Sequence, residues 1–239
     1  MDWDERAEAS RYSESLSWAR AVNTVRGPRL AAWVSTFRDN QPSEIVADYC
    51  GSFNWSCKVQ FDDGMQWVVR FPVNGRVMHG DEKVRHEVAV MKFIKEKTSI
   101  PMPSIIAWGS SSDNPLGLGS FIIMEFIEGE PLDRILRQGT GPQERILRSD
   151  ISDRQLETIY RQIANILLEL SAHDFLEIGS LGLPCRPLTL KINEIESHGG
   201  VRVGSLLSLL YFNTDIELIC FRTYLKDFLI CYRVFPQHC

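Results

Sequence analysis

The chain has 239 residues, with 44% hydrophobic residues, 24% charged residues and a formal net charge of −5. This length allows one large domain or two small ones. The mildly acidic balance lacks the basic charge typical of nucleic-acid and anionic-membrane binding, and neither a signal peptide nor a 20-residue apolar run is visible. Six cysteines without C-x-x-C spacing favour reduced thiols. We therefore expect a cytoplasmic protein with no nucleic-acid or membrane partner.

The first half of the chain changes from helical to strand-like periodicity. Two short helices are predicted at the start, the second beginning near Pro28. Strands are predicted over residues 46–61 and 66–71, because β-rich runs flank a turn signal at residues 62–64. A helix with a regular apolar stripe follows over residues 81–97.

The second half contains one more strand and one long helix. Prolines favour an extended segment over residues 99–109, and residues 120–126 form a short apolar strand. Ser152 and Gln155 form a capping box that opens a helix of about residues 152–172. This order predicts the α+β class, with an antiparallel sheet, one inserted helix and a following helical region.

Two charged residues fall where the pattern predicts burial. Arg70 interrupts the apolar run Trp67–Phe71, and Glu87 lies in the apolar stripe of the 81–97 helix. A single buried charge is costly, whereas two opposite charges can neutralise each other. The spacing alone leaves two alternatives open: a buried Arg70–Glu87 pair, or two side chains that reach water from the edge of the stripe.

Three short motifs carry a resemblance to a known family. They are Gly51, Asn54 and Val59 in the pattern G-x-x-N-x-x-x-x-V, then Trp67–Pro72 reading W-V-V-R-F-P, then Pro101-Met102-Pro103. With their order along the chain, they resemble the aminoglycoside phosphotransferase and choline kinase-like family. The long predicted helix followed by IGSLGL and RPLTL also looks like the version of this domain abundant in fungi. The resemblance implies a small lobe of the protein-kinase-like fold at residues 45–130. It also implies a helical extension at 1–44, the start of a helical large lobe at 131–202 and a divergent tail at 203–239.

The resemblance implies a set of ATP-binding residues. Four would form the loop over the phosphates, namely Gly51, Ser52, Phe53 and Asn54, followed by Val59 of the same motif. Arg70 would replace the family's phosphate-holding lysine, and Glu87 would orient it. Backbone groups of Glu125, Phe126 and Ile127 would meet the adenine edge. Read without the resemblance, the loop is an ordinary hairpin turn and residues 121–124 are a plain buried strand.

The catalytic residues of the family have no match in this sequence. The family needs an aspartate, an asparagine five residues later and a second metal-binding aspartate, together with Mg²⁺. Asp174, Asp215 and Asp227 are each followed five residues later by another residue type. We therefore expect a chain truncated before the catalytic loop, with no identified Mg²⁺ ligands. Three readings stay open: a phosphotransferase acting on an unknown small hydroxyl substrate, an inactive nucleotide-binding remnant, and a non-enzymatic interaction module.

Overall fold

The computed structural model describes residues 3–129, 132–138, 147–175, 179–182 and 186–189. It divides into two compact units, one made of Met1–Lys92 and Pro101–Phe126, the other of Phe93–Ile100 and Ile127–Cys239. The predicted tail at 203–239, with Asp215 and Asp227, lies outside the described residues.

The first unit opens with two helices. Helix α1 spans Trp3–Val25 and α2 spans Pro28–Ser35. Because no glycine or proline interrupts the sequence before Gly27, α1 continues for 23 residues, longer than the short helix predicted. Gly27 turns the chain with a φ of 90°, which a residue with a side chain rarely adopts, and Pro28 begins the next helix.

Five strands form one antiparallel sheet. They are β1 (Ser43–Cys50), β2 (Asn54–Phe61), β3 (Gln66–Pro72), β4 (Ile105–Gly109) and β5 (Phe121–Glu125). Their order in the sheet is β1-β2-β3-β5-β4, with every neighbouring pair antiparallel. The region predicted as one strand at 46–61 is two strands, because the chain turns at residues 51–53 and β1 pairs with β2. The turn predicted at 62–64 joins β2 and β3.

Helix α3, at Gly80–Lys97, connects β3 to β4, as predicted within one residue. Acidic residues occupy its first turn and lysines its last turn, an arrangement that the helix dipole favours. The predicted α+β class, with an antiparallel sheet and one inserted helix, is confirmed.

The two faces of the sheet are covered differently. Alternate residues of β2 and β3 (Trp55, Val59, Trp67, Val69 and Phe71 among them) join one hydrophobic core with residues of α1 and α2. The intervening residues of β3 point to the opposite face, where Arg70 contacts Glu87 of α3. The sheet therefore separates a core under α1 and α2 from a second layer that contains α3.

The second unit contains α4 (Leu132–Leu136), α5 (Asp153–Ser171) and a small hairpin of β6 (Gly179–Gly182) and β7 (Arg186–Thr189). The predicted capping box opens α5, where Ser152 and Gln155 satisfy each other's backbone groups. Glu169 of α5 accepts hydrogen bonds from the backbone N–H and hydroxyl of Ser99. No helix in the described ranges is long and apolar enough to span a bilayer.

Candidate functional site

Arg70 and Glu87 form the buried ion pair that was one of the two alternatives left open by their spacing in the sequence. Arg70 lies in the middle of β3, opposite Ser56 of β2 and Ile122 of β5. Its guanidinium Nη2 contacts the Glu87 carboxylate oxygen Oε1. Arg70 is 5% exposed and Glu87 is 2% exposed, so neither side chain reaches bulk water. Two opposite charges buried together are stabilised mainly by each other.

A second cation, Lys83, contacts the same carboxylate. Its Nζ lies 3.0 Å from Oε2 of Glu87, one helical turn ahead on α3. The same Nζ donates to Oδ1 of Asn54 at 3.3 Å. Lys83 is 4% exposed and Asn54 is 8% exposed. We call Asn54, Arg70, Lys83 and Glu87 the buried polar cluster.

The sequence interpretation missed Lys83. Its neighbours Glu82 and Arg85 are charged, so residue 83 resembles part of a solvated helix face. The signal that could have found it is its spacing of four from Glu87, which places both side chains on one face of the helix. Once Glu87 is expected to be buried, Lys83 is expected beside it.

The turn that precedes Asn54 is held by backbone bonds. The N–H of Gly51 donates to the carbonyl of Asn54 at 2.8 Å, which closes the turn between β1 and β2. The N–H of Val73 donates to the carbonyl of Phe53 at 2.8 Å. Gly51 and Ser52 are exposed. The structure therefore places the predicted loop next to the buried polar cluster through Asn54, which belongs to both.

An additional cation contacts this turn from the β3–α3 connection. The guanidinium of Arg76 donates to the carbonyl of Gly51 at 3.3 Å and to that of Ser52 at 3.0 Å. Arg76 is exposed, so its contacts are open to water. Arg76 thus contacts the exposed turn, and Lys83 contacts Asn54 at the end of this turn.

Val59 is not brought together with these residues. It pairs in register with Trp67, is fully buried and belongs to the core under α1 and α2. Because side chains alternate along a strand, Val59 and Arg70 point to opposite faces of the sheet. Its predicted contact with a nucleotide stays a prediction that this placement does not support.

The segment predicted to meet adenine lies at the end of β5. The N–H of Glu125 donates to the carbonyl of Ser104 at 2.9 Å, and the N–H of Phe126 donates to the carbonyl of Gln66 at 3.1 Å. Ile127 belongs to the second unit. The N–H groups of Glu125 and Phe126 are thus engaged within the first unit, and the contact of the backbone groups of Glu125, Phe126 and Ile127 with adenine stays a prediction.

Two titratable side chains on the elements that carry the cluster, His86 of α3 and Cys57 of β2, have shifted pKa values. Burial lowers the pKa of His86 below 6.5, against the opposing effect of Glu82, whose carboxylate lies 4.0 Å away. Burial raises the pKa of the Cys57 thiol to about 12. His86 is therefore neutral near pH 7, and Cys57 is a core thiol without nucleophilic character.

The described part of the chain contains no group of three or more His, Cys, Asp or Glu side chains arranged to hold a metal ion. The nearest candidate for the catalytic aspartate, Asp174, lies after α5, and the position five residues later is Gly179 in β6. Within the described ranges no aspartate is followed five residues later by an asparagine, so ligands for the Mg²⁺ that the family resemblance implies are not identified among these residues.

A groove of about 830 Å³ lies elsewhere in the first unit, between α1 and the start of α3. Its lining includes the three carboxylates of Glu14, Asp81 and Glu82. Carboxylates repel a phosphate, so this groove is a poor place for one despite its volume. The buried polar cluster offers the opposite charge and is the better candidate.

Comparison with known proteins places the chain in a family. A model of the phosphotransferase enzyme family matches residues 51–189, more than half of the chain. The chain belongs to this family. The resemblance drawn from the short motifs is thereby confirmed, together with the kinase-like α+β fold that it implied. The matched region includes the exposed turn, all four residues of the buried polar cluster and α5.

Several curated relatives are fungal proteins of much greater length. "Altered inheritance of mitochondria protein 9, mitochondrial" of Komagataella phaffii is 27% identical over 152 residues, covering 59% of this chain and 24% of that protein. The protein of the same name from Lodderomyces elongisporus is 31% identical over 128 residues, covering 52% and 19%. A subtelomeric hrmA-associated cluster protein of Aspergillus fumigatus is 30% identical over 95 residues, covering 36% and 18%. The matched region thus spans about a quarter or less of each relative.

One solved structure with a similar chain path is the Rio2 kinase–ADP/Mg²⁺–phosphoaspartate complex from Chaetomium thermophilum. It has a TM-score of 0.41 and 14% sequence identity, covering 87% of this chain and 62% of that one.

The expected cytoplasmic location is wrong. Five curated relatives that share the name "Altered inheritance of mitochondria protein 9" are designated mitochondrial. Acidic composition was a poor guide, because it does not report the compartment in which a folded domain works.

Proposed function

We propose that the first unit binds ATP and that the buried polar cluster receives its phosphates. The observation that carries this proposal is the pairing of two cations, Arg70 and Lys83, with the single carboxylate of Glu87 beside a glycine-led turn. A strand cation oriented by a helix carboxylate is the arrangement that kinase-like proteins use to hold phosphates. Membership of the phosphotransferase enzyme family supports the same assignment.

The residues around the cluster fit a phosphate chain. Arg70 offers a planar guanidinium suited to phosphate oxygens, and Lys83 offers a compact ammonium. Gly51 and Ser52, in the turn that leads to Asn54 of the cluster, are exposed. Because the cations are only 4–5% exposed, a phosphate reaches them after the 51–53 turn shifts outward. The carbonyl contacts of Arg76 would then exchange for contacts with the nucleotide.

We propose that these 239 residues bind nucleotide without transferring phosphate. Phosphoryl transfer requires an aspartate near the acceptor and metal ligands near the transferring group. No aspartate in the sequence has an asparagine five residues later. Ground-state binding without these groups lowers no barrier. If a longer relative transfers phosphate, we expect its acceptor to be a small hydroxyl compound, whose identity is unknown.

The test is calorimetric titration of the purified chain with ATP, ADP, AMP and adenosine. Binding through the cluster predicts affinity that falls as phosphates are removed and that weakens with salt. Equal affinity for adenosine and ATP would show that the cluster does not bind the phosphates. If the chain did not bind ATP at all, the proposal would be wrong. Incubation with γ-labelled ATP and amino-alcohol or aminoglycoside acceptors completes the test, because we expect no labelled product.

A second candidate is an interaction module that keeps the kinase-like fold without a ligand. The observation that favours it is the engagement of the Glu125 and Phe126 N–H groups in backbone bonds, which leaves these two donors unable to bind adenine without rearrangement. In this case the cluster is structural. An intact fold with no heat of binding for any nucleotide would support this candidate.

We also propose a mitochondrial location, on the strength of the names of the curated relatives. The test is fractionation of fungal cells that express the tagged chain, with protease protection to separate import from surface association. Recovery in the soluble cytosolic fraction alone would contradict it.

A further inference from the structure

Lys83 holds an unusual position for a lysine. Lysine is almost never fully buried unless it is paired, yet Lys83 is 4% exposed. Its aliphatic stem extends from α3 and its ammonium reaches two elements at once, Glu87 on the same helix and Asn54 at the start of β2. Arg70 contacts the other oxygen of the Glu87 carboxylate. Arg70 is paired in register with Ser56, which is two residues after Asn54 on β2.

This geometry separates the roles of the two cations. Lys83 is hydrogen-bonded to the residue that ends the exposed turn, whereas Arg70 is in register with Ser56, farther along β2. A ligand that enters past the turn therefore meets the ammonium of Lys83 in the place now taken by an amide oxygen. We propose that Lys83, rather than Arg70, supplies the direct contact with a nucleotide phosphate, and that Oδ1 of Asn54 occupies the position of a phosphate oxygen until the nucleotide binds.

Bond strength favours this exchange. The Lys83–Asn54 bond joins a cation to a neutral amide, whereas a bond to phosphate joins two opposite charges, whose Coulomb attraction adds to the hydrogen bond. The ammonium is a compact charge with rotatable donors, so it changes acceptors with little movement. Glu87 keeps the ammonium in place during the exchange, and Arg70 holds Glu87.

The inference rests on the proposed ATP binding, and the first experiment distinguishes their failures. The wild-type chain is incubated with an acyl-phosphate derivative of ATP, with and without excess ATP, and the modified residue is mapped by mass spectrometry. A lysine nitrogen near the phosphates attacks the acyl carbon, forms an amide and releases the nucleotide phosphate, while its proton passes to solvent. An arginine in that place gives no stable product, so the label reports which cation is close.

We expect ATP-protected labelling of Lys83. Lys58 is the informative alternative, because it lies across from Val68 on the same face of the sheet as Arg70, with its Nζ 4.0 Å from the centre of the Phe126 ring. Protected labelling of Lys58, or none at any lysine in a chain that binds ATP, overturns the inference and leaves ATP binding standing. Failure of the chain to bind ATP at all overturns both.

Variants provide the second measurement. Lys83→Met should weaken ATP binding by at least about tenfold, the effect of losing one charged hydrogen bond. Arg70→Met should weaken it less, and Lys97→Met, an exposed lysine of the same helix, should leave it unchanged. Equal losses for Arg70→Met and Lys83→Met would overturn the assignment of the direct contact to Lys83.

Asn54→Asp separates a phosphate role from a structural one. A carboxylate at residue 54 pairs with the ammonium more strongly than the amide does and competes with phosphate. We therefore expect a higher melting temperature without nucleotide and at least about tenfold weaker ATP binding. If the Lys83–Asn54 contact served the fold alone, the melting temperature would rise with ATP affinity unchanged, and that result overturns the proposal.

Discussion

Alternate residues of β3 point to opposite faces of the sheet, and the two faces are buried by different means. Trp67, Val69 and Phe71 enter a core of aromatic and aliphatic side chains under α1 and α2. On the other face Arg70 is 5% exposed and contacts Glu87. The carboxylate of Glu87 also contacts a second cation, Lys83. Burial of apolar area stabilises the first face directly. The second face buries charges, whose attraction must first offset their lost hydration.

This contrast indicates that the two faces of the sheet have different roles. A buried ion pair is often no more stable than a well-packed apolar replacement. The charged cluster is therefore explained poorly by stability and better by a ligand that needs cations, as we propose. The apolar face needs no such explanation. Variants on the two faces should accordingly differ in whether they change stability, ATP binding or both.

The largest effect is expected for Glu87→Gln. The variant leaves Arg70 and Lys83 buried without the carboxylate that both contact, so the free energy of unfolding should fall by about 3–5 kcal/mol. Chemical denaturation measures the change. Glu96→Gln, at an exposed position of the same helix, is the matched control and should change stability by less than about 0.5 kcal/mol. A loss below about 1 kcal/mol for Glu87→Gln would show that water reaches the cluster.

The sequence singled out Arg70 and Glu87 as a possible pair because each charged residue interrupts a regular apolar pattern. Arg70 interrupts a strand-like apolar run, and Glu87 sits in a helical apolar stripe. The α3 bounds were equally accessible, since the stripe and its charged ends agree. These features depend on periodicity within one element.

Other features depend on relations between elements and were not predictable in this way. The face occupied by Val59 depends on the register of β2 against β3, and a slip of one residue would reverse it. The contact between Lys83 and Asn54 joins residues 29 positions apart, and no local pattern pairs them. The packing of α1 against the core also depends on tertiary contacts, because only a few of its 23 residues are buried.

On the apolar face, Leu30→Ala should lower the free energy of unfolding by about 3 kcal/mol. Leu30 is fully buried in α2, and the cost combines lost burial with a residual cavity. The folded variant should bind ATP as the wild type does, because the change lies on the face away from the cluster. Leu16→Ala on α1, where the side chain is 41% exposed, is the control for leucine truncation. Weaker ATP binding by the folded Leu30→Ala variant would contradict the separation of the two faces.

A smaller effect is expected for Trp18→Phe. The indole Nε1 of Trp18 donates to the carbonyl of Leu118 at 2.9 Å in a buried setting, and links α1 to the loop before β5. Phenylalanine keeps most of the apolar contact and loses the donor, so stability should fall by about 1–2 kcal/mol. The melting temperature and denaturant midpoint report the change, and Trp3→Phe at a position 81% exposed serves as the control. No difference between the two variants would show that this hydrogen bond adds nothing to the apolar packing.

The smallest effect is a dependence of stability on pH through His86, which neighbours Glu87 on α3. His86 is 7% exposed, and burial lowers its pKa below the unfolded value of 6.5, while Glu82 opposes the shift and Arg85 adds to it. Between the folded and unfolded pKa values the unfolded chain binds more protons than the folded one. The stability contributed by neutral His86 is therefore complete above pH 6.5, declines as the pH falls below that value, and stops declining below the folded pKa.

Urea denaturation from about pH 7.5 to about pH 5.5 measures this decline, and His86→Gln should flatten it because glutamine does not titrate. His79→Gln, at an exposed position just before α3, is the matched control for the same substitution outside the buried position. The slope isolates the titration from any packing change, since a cavity or a new contact shifts stability equally at every pH. Were His86→Gln to keep the full wild-type slope, the proton-linked loss would belong to another group. The charged face would then owe its pH response to residues other than the histidine buried beside the cluster.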